Sequence, residues 1–175
     1  YIARAPATVS DGKVVKGKAQ GIRFFEYAST RETREAQFQL AFLAWKTEGM
    51  EEQAGKSMPD RLKTILHEHN LADIGKFEQA NILHDGTTIC PLCRKPIKAE
   101  ELMSEVELAE GRENLHNRIT EANLFHIDAL RPGEFNNKPY KLGWGHHHCN
   151  QVVHDSGVKE TLDWMEQVLR NNDRI

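Results

Sequence analysis

No stretch of the chain approaches the roughly 20 consecutive apolar residues that a membrane-spanning helix needs. The N-terminus also lacks the charged-then-apolar pattern of a secretory signal. These two absences argue against a membrane protein or a secreted one, and the sequence reads as soluble and cytoplasmic. Cysteine is scarce and odd in number: there are three, two of them in one Cys-x2-Cys pair. That is a poor disulfide framework and favours a reducing compartment. No internal repeat or low-complexity tract is present, so solenoid and linker readings fall away. Nor is there a large excess of one charge, since the formal net value is -3. That argues against a nonspecific nucleic-acid coat protein. The first residue is Tyr1 rather than Met, which reads as a trimmed or renumbered piece.

What is present fits one compact unit of 175 residues in two parts, of α+β class. Residues 1–85 read as a basic arm and a mostly helical region, a scaffold or specificity part. Residues 86–175 read as a metal-stapled hairpin-and-helix module with a C-terminal helix. Charge is unevenly spread: Arg4, Lys13, Lys16, Lys18 and Arg23 face the single acid Asp11, whereas Glu100, Glu101, Glu105, Glu107, Glu110 and Glu113 crowd a later stretch. A basic arm can follow a phosphate backbone, and an acidic run is ordinarily solvated surface.

Residues 1–22 show neither helical nor strand periodicity and read as an irregular lead-in. Phe38, Ala41, Phe42 and Trp45 recur at helical spacing over 31–46, and Gly49 ends that run. Ser57 and Pro59 open a second helix with Leu62, Ile65 and Leu66 as its buried stripe. A third is expected from Asp73 through Leu83, before an Asp85-Gly86 turn. This pair over 58–84 resembles a helix-turn-helix only as far as any two short packed helices do. An acidic helix is expected over 99–110, strands over 123–130 and 140–144, and a helix from His147 or His148 that carries Asn150 and His154 on one face. A last helix over 158–170 is expected to be capped by Ser156 and to bury Leu162, Met165 and Leu169.

The chemistry lies in the second part. Cys90-Pro-Leu-Cys93 bends two sulfurs to one point, and His146 with Cys149 repeats the spacing around a helix start. Together they can close a tetrahedral zinc site, with His147 or His148 as alternatives to His146. The wide gap between the two pairs fits neither a short finger nor a ribbon, so the site would staple the ends of a larger excursion. That excursion carries Asp128, and Asn150 directly follows the last zinc cysteine. A carboxylate and an amide oxygen brought together could share a hard cation such as magnesium or manganese, with water and a substrate phosphate completing its shell.

His126-Ile-Asp128-Ala129 followed by Gly145-His-His-His-Cys149-Asn150 resembles the HNH, or ββα-metal, endonucleases, in particular the zinc-stapled kind similar to phage recombination endonuclease VII and to HNH restriction enzymes. The resemblance covers residues 88–170. It implies Asp128 and Asn150 as ligands of a catalytic divalent metal, with His154 as a further candidate, and Asn136 or Asn137 as the middle residue that fixes the loop and orients the base. Where the family places its general-base histidine, this chain has Ala129, whose methyl group cannot accept a proton. Two explanations remain: the base was exchanged for alanine, leaving an inactivated variant of a His-Ile-Asp-His parent, or the base lies elsewhere. His126 is then the substitute, or else a support for Asp128 from the same strand face. Arg131, Lys138 and Lys141 flank the hairpin as candidate DNA contacts, joined by Lys13, Lys16 and Lys18 of the arm.

The resemblance thus implies a DNA endonuclease of restriction or phage defence, with junction resolution as a lesser option. One such site cuts one strand, so a homodimer or sequential nicking would be needed for two. The alternative is a catalytically silent zinc module that binds nucleic acid or protein.

Overall fold

The computed structural model describes residues 2–4, 8–10, 13–15, 19–22, 30–106, 119–134 and 136–175. Lys16, Lys18, Glu107, Glu110 and Glu113 lie outside the described residues, and Lys13 is described by its backbone alone. Residues 1–22, expected to be irregular, instead contain two antiparallel pairs. These are β1 (Ile2–Arg4) with β4 (Ala19–Ile22), and β2 (Thr8–Ser10) with β3 (Lys13–Val15). The strands are three or four residues long, too short for a periodic pattern to show.

Helix α1 (Thr30–Trp45) is the spine of the core. Its Ala36, Leu40 and Leu43 are fully buried at spacings of one and two turns. Gln39, also buried, uses both ends of its amide: Nε2 donates to Leu71 O at 2.9 Å, and Oε1 accepts from Tyr140 N at 2.8 Å. Trp144 Nε1 donates to Leu40 O at 2.9 Å. The bonds with Tyr140 and Trp144 join α1 to the second part, the one to Leu71 holds it within the helical region, and one cluster of buried side chains runs from Leu40 and Phe77 to Phe125, Trp144 and Cys149.

A short α2 (Met50–Ala54), not foreseen, follows Gly49, and α3 (Asp60–Glu68) buries Leu66 as expected. Helix α4 (Ile74–Gln79) stops short of Leu83, because Asn81 takes a left-handed conformation at φ 55. Leu83 lies instead in β5 (Leu83–His84), which pairs with β6 (Thr87–Thr88) across Asp85-Gly86, both at positive φ.

The acidic helix expected over 99–110 is absent among its described residues. Only a 3-10 turn forms at Glu100–Leu102, and Glu105 bridges Thr120. Val106 N donates to Ile119 O and Glu121 N to Ser104 O, so strand-like pairing takes the backbone groups a helix would use.

Strands β7 (Ala122–His126) and β8 (Leu142–His146) form an antiparallel hairpin, shorter at one end and longer at the other than expected. The second strand runs through Gly143 without interruption. Gly145 faces Asn123 in register, and a Cβ there would overlap the Phe125 ring, so glycine lets the ring lie across the strand.

Helix α5 (His147–Val153) begins where β8 ends, and α6 (Val158–Asn171) follows. The cap of α6 is Gly157, not Ser156, and its buried residue is Thr161; Leu162 and Leu169 are exposed. The apolar stripe of α6 has the helical period but no covering element among the described residues. No helix among the described residues is long and apolar enough to cross a membrane.

Candidate functional site

The Cys90–Cys93 loop is a tight knuckle: Arg94 N donates to Cys90 O and Cys90 N to Lys95 O, each at 2.9 Å. Arg94 takes φ 60 to close it. Strand β8 delivers His146 at its last residue, and α5 places Cys149 within its first turn. The ligand atoms of Cys90, Cys93, His146 and Cys149 all lie within 4.8 Å of one another. Of the three candidate histidines, His146 is the one in the cluster. The His147 ring sits against Asn123 at 3.2 Å, and His148 is exposed.

All three thiols are free of disulfides. Burial pushes the Cys90 thiol up from its usual value, and burial together with the Cys90 and Cys93 sulfurs pushes Cys149 up to about 12. Cys90 and Cys149 therefore keep their protons unless a cation offsets the charge of their thiolates. Three sulfurs and an imidazole nitrogen form a donor set for a soft divalent ion, which would displace those protons on binding.

The far end of the hairpin gathers the remaining candidates. His126, the last residue of β7, is half-buried, and its Nε2 donates to Asn137 Oδ1 at 3.1 Å. With the ring proton on Nε2, Nδ1 keeps its lone pair. Burial holds the His126 pKa below the usual imidazole value, while the Asn137 bond and the charge of Asp155 pull it back up.

Asp128 is half-exposed and paired with Lys141, Nζ to Oδ2 at 2.7 Å. Ala129 N and the Asp128 carbonyl carbon press on Gly157: a Cβ on that residue would come within 2.5 Å of Ala129 N. Ile127 O accepts from Val158 N and Leu130 N donates to Asp155 O, so the segment after β7 is fixed to the α5–α6 link. Asn150 Nδ2 donates to Asn123 Oδ1 at 2.7 Å and to Leu124 O at 3.1 Å. A backbone carbonyl can only accept, so the amide nitrogen is the atom that faces β7.

His154 departs from expectation: it is the C-cap of α5 at φ 46, off the helix, with its ring 3.3 Å from Asp155. The helix ends at Val153, so His154 is not one of its residues, although its N–H donates to Asn150 O at 2.8 Å. Asn136 donates only to nearby Glu134 O, so Asn137 is the loop residue that reaches the imidazole. Arg131 and Lys138 are exposed beside the hairpin. Asn123, Glu101 and Asp155 were not anticipated as site residues. Asn123 sits within the first strand, and its alternation with Phe125 was the one available sign that its side chain shares a face with a core residue.

The chain is similar to known proteins over most of its length. The family model of the BstXI restriction endonuclease matches residues 10–147. A search of curated proteins finds no match. Among solved structures, a type II restriction endonuclease of known crystal structure superposes with a TM-score of 0.54 at 21% identity. The match covers 85% of this chain and 57% of that one. The likeness shows a shared fold, and this chain spans little more than half of that protein. With a family model matched across most of the sequence, including the knuckle and both hairpin strands, the chain belongs to the BstXI restriction endonuclease family.

Proposed function

We propose that the chain is a divalent-metal-dependent DNA endonuclease of the HNH, or ββα-metal, kind that serves restriction. In this reading Cys90, Cys93, His146 and Cys149 hold a structural zinc that clips the knuckle to the start of α5, and α5 packs its Asn150 against β7. The observation that carries the reading is the His126–Asn137 pair beside that clipped hairpin, with an unprotonated imidazole nitrogen left over.

The family pattern puts the general base at position 129, where a methyl group cannot act. The geometry supports His126 instead, oriented by the loop residue Asn137 and kept neutral by burial. His126 Nδ1 takes a proton from water as the water oxygen attacks phosphorus in line, and the bond from phosphorus to the leaving sugar oxygen breaks. Asn150 Oδ1 and the Asp128 carboxylate would hold a magnesium or manganese ion, whose charge stabilises the developing negative charge on the phosphate and leaving oxygens. Asp128 enters that role by exchanging Lys141, one cation for another. Lys141, Arg131 and Lys138 contact the DNA backbone, and Lys13, Lys16 and Lys18 extend the footprint. Cutting both strands takes two such sites, in a homodimer or in turn.

Nicking of supercoiled plasmid with magnesium or manganese tests the assignment on three proteins. The chain as it stands is expected to nick, His126→Ala to slow it by roughly 10²- to 10⁴-fold, and Ala129→His to change little. Cleavage that appears only in Ala129→His would return the base to position 129 and make this chain an inactivated variant. Binding without cleavage in all three would favour a silent zinc module.

A further inference from the structure

Glu101 stands apart from the acidic run to which it belongs in sequence. Its neighbour Glu100 is exposed, whereas the Glu101 side chain is 21% exposed and its two oxygens have separate partners. Oε2 accepts from Lys98 N at 2.7 Å, across the start of the 3-10 turn. Oε1 lies 3.6 Å from His146 Nε2, within ion-pair reach and beyond hydrogen-bond length. The other nitrogen of that ring, Nδ1, is 3.3 Å from Cys93 Sγ. The imidazole therefore stands between the sulfurs and a carboxylate, with one nitrogen toward each. The support beneath Glu101 is fixed without help from the cluster: Glu48 N donates to Ile97 O and Ala99 N to Glu48 O, stitching 97–99 to the turn before α2.

We propose that Glu101 is the positioning residue of the metal clip: its carboxylate holds the His146 proton on Nε2 and aims the Nδ1 lone pair at the site shared with Cys90, Cys93 and Cys149. The inference rests on the zinc reading above. A carboxylate can only accept, so it selects the tautomer that leaves Nδ1 free, and it fixes the plane of the ring before the ion arrives. Glutamine cannot substitute fully. With its single oxygen on Lys98 N, its amide N–H would face Nε2 and favour the wrong tautomer, and with the oxygen on Nε2 it would face Lys98 N donor to donor.

Zinc release from the full chain to an excess of colorimetric chelator tests this, alongside the absorption of the cobalt-loaded protein. Glu101→Ala is expected to release zinc roughly 10- to 100-fold faster, with Glu101→Gln between it and wild type and Glu100→Gln unchanged. The ligand-field bands of cobalt should shift in the Glu101 variants, since the imidazole that sets them is no longer held. In zinc-loaded wild type, NMR of the His146 ring should find the proton on Nε2, a reading that needs no variant. Equal release rates and unshifted cobalt bands in Glu101→Ala, or a proton on Nδ1, would overturn the proposal. A wild-type chain that takes up no zinc would remove the zinc reading itself, and this inference with it.

Discussion

His126 sits under opposed influences, burial lowering its pKa and the Asn137 bond and Asp155 raising it, and burial prevails. The folded protein thus sheds this proton at lower pH than the unfolded chain does. Its share of stability is present above the ordinary imidazole range and lost as pH falls through the folded value. If His126 is the base, the acid limb of the kcat/KM profile for nicking lies below about 6.5, the unperturbed imidazole value. Asn137→Ala removes an influence that raises the pKa, so the limb should move further toward acid while the rate falls from loss of ring orientation. An acid limb unmoved by Asn137→Ala would mean that the titrating base is another group. The gathering of Cys90, Cys93, His146 and Cys149 was legible because spacing alone brings the two donors of each pair to one point. Glu101 and Asn123 were not, since each meets its partner only when distant segments fold together.

At the scale of elements, the hairpin, α1, α5 and α6 follow from apolar period and turn chemistry, as Leu40, Phe125 and Trp144 show by their burial. Among the described residues of the helix expected over 99–110, residues 104–106 pair with 119–121 instead, a competition that local propensity cannot foresee. In α6 the period was right and the burial wrong: Leu162 and Leu169 lie exposed while Thr161, bonded to Gly157 O at 2.7 Å, is inside. Periodicity marks a stripe but does not say that anything covers it. At Gly145 the Phe125 ring occupies the space that a Cβ would need. Gly145→Ala is expected to cost about 1–3 kcal/mol in chemical unfolding, as overpacking does in a closed core. Unfolding at the wild-type midpoint would show that the ring moves aside freely.

For the molecule as a whole, one buried cluster spans the helical region and the hairpin, with Gln39 and Trp144 tying the two by side-chain bonds. The cluster of Cys90, Cys93, His146 and Cys149 then brings together residues that the chain separates widely, the knuckle before the excursion and α5 after it. Burial pushes the Cys90 and Cys149 thiols up, so an ion bound there would displace their protons and hold the knuckle to α5. X-ray absorption at the zinc edge of the purified chain tests this most directly. The expected result is one zinc per chain with three sulfurs at about 2.3 Å and one imidazole nitrogen at about 2.0 Å. Absence of zinc, or a shell of oxygen and nitrogen alone, would contradict the clip and the nuclease site built upon it.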